Sequence, residues 1–378
     1  MSLLLTELDG WEGFTPARAM TFTPVQMQRG LDLLRNAGRL RPHQHEYQLK
    51  EVITTSQFPY LFGQILERMI LARYRAAVGA WRAWTALSSL RDFRQAEKHK
   101  VYGNDNDLPL VAEKGEYLVS PHGNAHYHQQ VFKRGRQLDI SWEALINDTM
   151  NAMGDIPSRF ATAAIRTDAR LVAGLYSSAT GPNALLYGIP IVDVDGQNVT
   201  NRGTLALTIA NLQTTLSLMT QQVDPNGMPI LVRGAHLVVP PALEFTMRTI
   251  LSSALVQWTE VGAGGGIPVP TTNVIPQYGI QGHVDPMLPV VDVSANIDTT
   301  WYLFAEPSEG AAIEFATLRG HESPEICMKA SNKVAVGGGM IDPFAGDFAT
   351  DNIFYRIRHV IGGTQLDPRY TYAQIGTT

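Results

Sequence analysis

Residues 141–178 read SWEALINDTMNAMGDIPSRFATAAIRTDARLVAGLYSS, and the fold turns on how this stretch is parsed. Ser141 can N-cap a short first helix, its hydroxyl accepting an otherwise orphaned amide proton, with Glu143 well placed in the first turn. That helix is expected to yield near Gly154. A second should begin at Asp155-Ile156-Pro157, where proline is tolerated because first-turn N–H groups have no intrahelical acceptor. Apolar residues then come in adjacent pairs: Phe160/Ala161, Ala164/Ile165, Leu171/Val172 and Leu175/Tyr176. They make a broad stripe, with Phe160, Ile165, Val172 and Leu175 as its expected contacts. Arg159, Arg166 and Arg170 share another face. At 1.5 Å per residue this helix is roughly 30 Å long. Periodicity alone fits either the backbone of an extended, flat subunit or a core helix of a large enzyme.

The chain around it has 378 residues, 44% of them hydrophobic, enough for a sizeable core. Only 17% are charged, below the usual quarter, so subunit contacts can be covering part of the surface. A net charge of -5 gives no support to a general nucleic-acid binder. The charges are segregated, however. Arginines crowd the first hundred residues, including Arg35, Arg39, Arg41, Arg73 and Arg75, whereas no Lys or Arg lies between Arg248 and Arg319. Either different parts of the subunit face different surroundings, or the asymmetry is a fluctuation in solvated faces. A single cysteine, Cys327, excludes an intrachain disulfide and points to a reducing compartment. The start MSLLLTELDG lacks a basic region and is no signal peptide, and no apolar run is long enough to span a membrane.

Residues before about 100 read as helices without a compact domain, with Trp81 and Trp84 packing against arginines. From Val101 to Ile140 the pattern is extended, two runs flanking a turn at Pro121-His122-Gly123-Asn124. The arms carry Tyr117, Val119, His126, His128 and Phe132, too few apolar groups for a core. Such a hairpin is marginal alone and should rest on something else, a neighbouring subunit being one support. A buried strand is expected at Tyr187–Asp195, ending in a DVDG turn. Amphipathic helices are expected at Leu205–Met219 and from Pro240-Pro241 onward. Later strands are expected at Val290–Val293, Trp301–Ala305, Ile313–Leu318, Ile326–Ala330, Lys333–Val336 and Ile353–Ile361. The order of elements is that of a mixed α+β chain.

No reaction is specified. His43 and His45, and His122, His126 and His128, are the metal-ligand candidates, since i and i+2 on a strand point to one side. No cysteine accompanies them, and a solvent-exposed reading is simpler. The Gly262–Gly266 loop and Gly337–Gly339 lack the following helix that a phosphate cradle needs. Asp193 and Asp195 are best explained by Asx-type turn bonding, and Lys98, Lys100 and Lys114 as solvating charges. No catalytic, cofactor-binding or metal residue is assigned.

Several ordered pieces resemble one family. ITTSQFPYLFGQILERMILARY, LVAEKGEYLVS, RGRQLDISWEALINDTM, DIPSRFATAAIRTDARLVAGLYS, LVVPPALEFTMRTILSS, WYLFAEPSEGAAIEFATLRGHESPEI and ATDNIFYRIRHVIGG are similar, in order and spacing, to major capsid proteins of tailed phages with the Hong Kong 97-type fold. The Mu-type major head subunit group is the nearest resemblance. It implies an N-terminal arm at 1–100, an E-loop hairpin at 101–138 and a P-domain with a long spine helix at 139–245. It further implies an A-domain mostly at 246–345 and C-terminal strands returning to the P-domain at 346–378. By the same resemblance the hairpin residues would contact neighbouring subunits, and the arm arginines would make arm contacts or face the lumen. Implied partners are further copies in hexamers and pentamers of an icosahedral shell, separate scaffolding, portal and cement proteins, and weakly held double-stranded DNA. The location implied is the virion, assembled in the host bacterial cytoplasm, without cofactor, enzymatic activity or membrane. Two alternatives stand beside it: an encapsulin-like nanocompartment shell, and a metal-dependent hydrolase using the hairpin histidines. No crosslinking lysine–asparagine pair can be matched.

Overall fold

The computed structural model describes residues 68, 70–77, 79–102, 108, 110–111, 113–117, 119, 123–141, 151–259, 268–329, 331–334, 336–337 and 346–376. The expected helices before residue 60, with Arg35, Arg39 and Arg41, lie outside them, as do His43, His45 and His122. Contacts divide the chain into two units, one of 1–70, 137–158 and 326–356, the other of 71–136, 159–325 and 357–378.

The second unit is built around Trp301–Ala305, a strand whose five residues are all buried. Because side chains alternate along a strand, a strand buried on both faces reads as continuous apolar sequence and must serve two cores. Tyr302 and Phe304 enter one core with Trp81, Trp84, Val172, Ala173, Leu175 and Tyr176. Trp301, Leu303 and Ala305 enter the other, with Leu212, Leu216, Met219, Met247 and Ile250. The sheet holding this strand runs Gln281–Val284, Gly234–Val239, Trp301–Ala305, Thr371–Gln374 and Arg202–Gly203. Leu303 stands opposite Leu237 on one side and Tyr372 on the other, both in antiparallel register.

A second sheet has the order Ala86–Leu90 (β1), Ile313–Leu318, Ile353–Gln365 and Glu325–Met328, with Val131–Ile140 (β4) also paired to Ile353–Gln365. Ile313 and Phe315 face the first core, while Ala316 and Leu318 pack with Val131 and Val360. Gly362 permits this close layering: a Cβ there would lie 2.0 Å from the carbonyl oxygen of Gln130. Trp81 and Trp84, read from sequence as arginine partners, are core residues. Arg82 does cover Trp81 at 5.3 Å, but Trp84 packs on His283 and Phe304.

Asn151–Tyr176 (α1) is one helix of 26 residues, about 39 Å long at 1.5 Å per residue. It does not restart at Asp155. Pro157 is the seventh residue of the helix, where its missing N–H removes one i→i−4 bond without ending the helix. Phe160, Val172 and Leu175 are buried, whereas Ile165 is only partly covered and Ala161 and Ala164 take the inward positions. The next helix, Ile209–Thr220 (α2), starts four residues after Leu205, because Thr208 caps it by accepting from the Asn211 amide at 3.2 Å. Glu244–Ser252 (α3) follows a single turn at Pro241–Leu243.

Three strand expectations fail. Tyr187–Asp195 is only a two-residue ladder, Ile191–Val192 against Asn198–Val199, because Pro190 has no N–H to give a ladder. Val290 and Val291 belong to the helical turn Leu288–Val291, with Pro289 at its start, and Asp292 and Val293 form no strand. Lys333–Val336 forms no strand among its described residues. In the first unit that segment is tied by Ser331 Oγ to the Gly346 carbonyl at 2.8 Å and by Asn332 Oδ1 to the Phe348 amide at 2.7 Å.

Phe304→Ala and Leu303→Ala open cavities in different cores, and each should cost about 3–5 and about 2–5 kcal/mol respectively, read from urea unfolding midpoints.

Candidate functional site: a strand pair rooted in a buried charge cluster

Ala96–Tyr102 (β2) and Gly123–Gln129 (β3) form an antiparallel pair in the register Lys98↔Tyr127, His99↔His126 and Lys100↔Ala125. This moves the expected turn. Gly123 and Asn124 lie within a strand, and the connection spans 103–122 instead of Pro121–Asn124. Because directly opposed residues share a face, the pair has two chemically different sides. Lys98, Lys100 and Tyr127 face the protein's own body; His99, His126 and His128 face solvent.

The body-facing side is pinned by charge. Lys98 pairs with buried Glu314. Lys100 Nζ lies 3.0 Å from Asp193, 3.3 Å from Asp195 and 2.5 Å from Asp367. Arg369 closes the cluster from the other side, 2.8 Å from Asp193, 3.0 Å from Asp195 and 3.2 Å from Asp367, and its Nε donates to the Val223 carbonyl at 3.0 Å. The Tyr127 hydroxyl donates to Asp193 at 3.0 Å. Away from the cluster, Thr364 Oγ1 donates to the His128 carbonyl at 2.8 Å. Buried carboxylates are tolerated only when paired and hydrogen-bonded, and here three share two cations. The support sought for the hairpin in a neighbour is therefore, at its root, the subunit itself. Lys98 and Lys100 are not solvating charges, and Asp193 and Asp195 do more than close a turn, although Asp195 also makes the expected Asx bond to the Gln197 amide at 3.0 Å.

Burial opposes ionisation of Asp193, but Lys100 outweighs it and holds the carboxyl below its usual value. Burial likewise opposes the charge on Lys100, and Asp367 and Asp193 reverse this, raising it. Burial, then Asp367 and Asp193, push the Tyr127 phenol far up, so it remains a donor. The carboxylate contribution is complete above the usual 3.8 of an aspartate and is lost as pH falls through the lowered value. The lysine contribution is complete below 10.5 and is lost as pH rises through the raised value. The root is thus locked throughout the neutral range.

Beyond the root the side chains are bare. Leu108 is 96% exposed, Leu110 101%, Tyr117 85% and Val119 93%. Phe132, on β4, is 55% exposed. His126 meets His99 and His128 edge-on, with ring centroids 6.2 and 5.1 Å apart. Among the described residues no group of three or more His, Cys, Asp or Glu is arranged to hold a metal ion. No helix among the described residues is long and apolar enough to cross a membrane. Of the arm arginines that are described, Arg73 and Arg75 are exposed.

A second polar cluster lies at the edge of the first core. His236 Nδ1 is 3.1 Å from His283 Nε2, and His236 Nε2 is 3.0 Å from Glu306. Burial, and then the neighbouring His236, lower His283 from 6.5 to about 4.

Two measurements check this account. Lys100→Met leaves three buried carboxylates to Arg369 alone and should cost about 3 kcal/mol, with hydrogen exchange rising first in β2 and β3. For His283 the unfolded chain binds the extra proton between pH 6.5 and 4, so melting temperature should fall on acidification across that window. His283→Phe should flatten that dependence.

Among solved structures, the capsid of cyanophage P-SCSP1u aligns at a TM-score of 0.48 and 12% identity, covering 80% of this chain and 89% of that one. The capsid of Ralstonia phage GP4 aligns at 0.47 and 9%, covering 78% and 87%. A virus-like particle from Pyrococcus furiosus aligns at 0.44 and 8%, covering 83% and 99%. No curated protein matches the sequence. The sequence model of a family described as phage capsid protein matches residues 129–374, from the end of β3 to the last strand. With well over half its length matched in this way, the chain belongs to the phage capsid protein family.

Proposed function

We propose that this chain is the major capsid protein of a tailed bacteriophage, with the Hong Kong 97-type fold of the Mu-type head subunits. It assembles into hexamers and pentamers that close an icosahedral shell around double-stranded DNA. The family match over 129–374 carries the reading. The distribution of apolar surface supports it. A subunit that holds a strand pair firmly at its root while leaving Leu108, Leu110, Tyr117 and Val119 almost fully exposed has surface that a second copy would cover. Each such contact is weak, but a closed lattice repeats it many times, and linked weak contacts reinforce one another.

In this reading the E-loop is the strand pair with its connection, 96–129, and α1 is the spine of the P-domain. Residues before about 80 supply the arm, whose arginines make arm contacts or face the lumen. The chain acts as wall material in the virion and catalyses nothing. It is assembled in the host cytoplasm with separate scaffolding and portal proteins, and with a cement protein where one is used. An encapsulin-like compartment would share the architecture and differ in what it encloses.

Deleting 108–119 removes the exposed apolar groups and spares Gln129 and Val131, which are buried. The variant should melt like the wild type but form no closed particles, scored by negative-stain microscopy of cells expressing it with its genomic neighbours. Normal shells from this deletion would overturn the role given to the loop. If the wild type itself yields only small globules at high concentration, the capsid reading fails.

A further inference from the structure

Arg134 on β4 and Arg166 and Arg170 on α1 line one open cleft of about 520 Å3, together with Thr167, Leu171 and Gly174. All three arginines are exposed, and none has an ion-pair or hydrogen-bond partner among the described residues. Several other cations of the same unit differ in this. Lys98, Lys100, Arg248, Arg358 and Arg369 all have carboxylate partners. Arg166 and Arg170 stand one turn apart on the same helix face, where like charges repel. The acid nearest them in sequence, Asp168, gives no relief: it is buried, bound to Tyr74 at 2.5 Å and His359 at 3.0 Å. Arg136 follows Arg134 at i+2, and alternation puts it on the same side of β4. An array of cations held together with no carboxylate partner among the described residues is one that an anion from outside can match.

The chemistry narrows the anion. Forks reach the cleft from two elements, and a tetrahedral phosphate accepts from several directions, whereas a carboxylate offers one planar edge. The cleft is open, which suits a polymer lying across it. It also has little with which to read bases. Its one hydroxyl, on Thr167, is already donated to the Ala163 carbonyl at 2.7 Å, and the remaining lining is aliphatic. We propose that this cleft binds the phosphodiester backbone of double-stranded DNA without reading its sequence. The proposal rests on the capsid reading for the presence of its ligand.

The test is fluorescence anisotropy of the full-length chain with short labelled duplexes over a salt series. Two duplexes of unrelated sequence should bind equally. The combined variant Arg134→Gln, Arg166→Gln and Arg170→Gln should lower the slope of log affinity against log salt by roughly one for each arginine removed. The corresponding Arg→Lys variant, which keeps the charges and checks for loss of fold, should retain most of the slope. An unchanged slope in the Gln variant overturns the proposal. So does preferential binding of a polyglutamate peptide over the duplex, which would assign the cleft to an acidic protein segment. Microscopy separates this from the capsid reading: shells of the Gln variant with normal form and lost DNA affinity support the cleft. Shells that fail only in the Gln variant would make these arginines contacts between copies and overturn it.

Discussion

Burial of Trp301–Ala305 on both faces is the constraint on which the larger folded unit depends. A strand of five residues with no solvent side must have a filled core above and below it, so helix α1 and the two tryptophans before β1 pack on one face, and α2 and α3 on the other. Several of the polar groups that reach these cores are hydrogen-bonded to one another. Tyr176 donates to Asp285, the Tyr187 hydroxyl meets that of Thr371 at 2.7 Å, and Gln374 donates to Thr215 at 2.9 Å. Such bonds offset the cost of burying hydroxyl and amide groups and fix the register of the last strand.

On this unit the strand pair β2–β3 has two kinds of attachment. Its root is held by ion pairs and by a phenol locked in its protonated form. Beyond the root, Leu108, Leu110, Tyr117 and Val119 are apolar and almost fully exposed. One subunit can therefore be a well-defined body and an unfinished assembly partner at once, which is the physical content of the proposed shell function.

The sequence carried some of this openly. WYLFA and IEFATL read as strands because continuous or alternating apolar runs bounded by turns leave few other options, and the stripe of α1 was visible from Phe160 to Tyr176. The long-range charge cluster was not. Lys100, Asp193 and the neighbouring pair Asp367 and Arg369 are far apart in the chain, and each taken alone has an ordinary local explanation as a solvating charge or a turn former. The one available hint was the alternation in AEKHKVY, which puts two lysines on one side of a strand and a histidine on the other. The turn at Pro121–Asn124 misled for a related reason: turn-forming residues mark where a chain can reverse, while pairing with β2 decides where it does. Pro157 misled in the opposite sense, since a residue that favours helix starts is also tolerated a turn and a half inside one.

The seclusion of Asp193 and Asp195 from water has a consequence of its own. Mobile ions weaken attractions between charges only where they can come between them or surround them, and the side chains of these two carboxylates are 2% and 0% exposed. The bearing of the strand pair on its body should accordingly be the same in brine as in dilute buffer. Copies meeting in any ionic medium would then present one another with an arm set at a constant angle, and the size of a closed container made from them would not drift with the composition of the fluid around it.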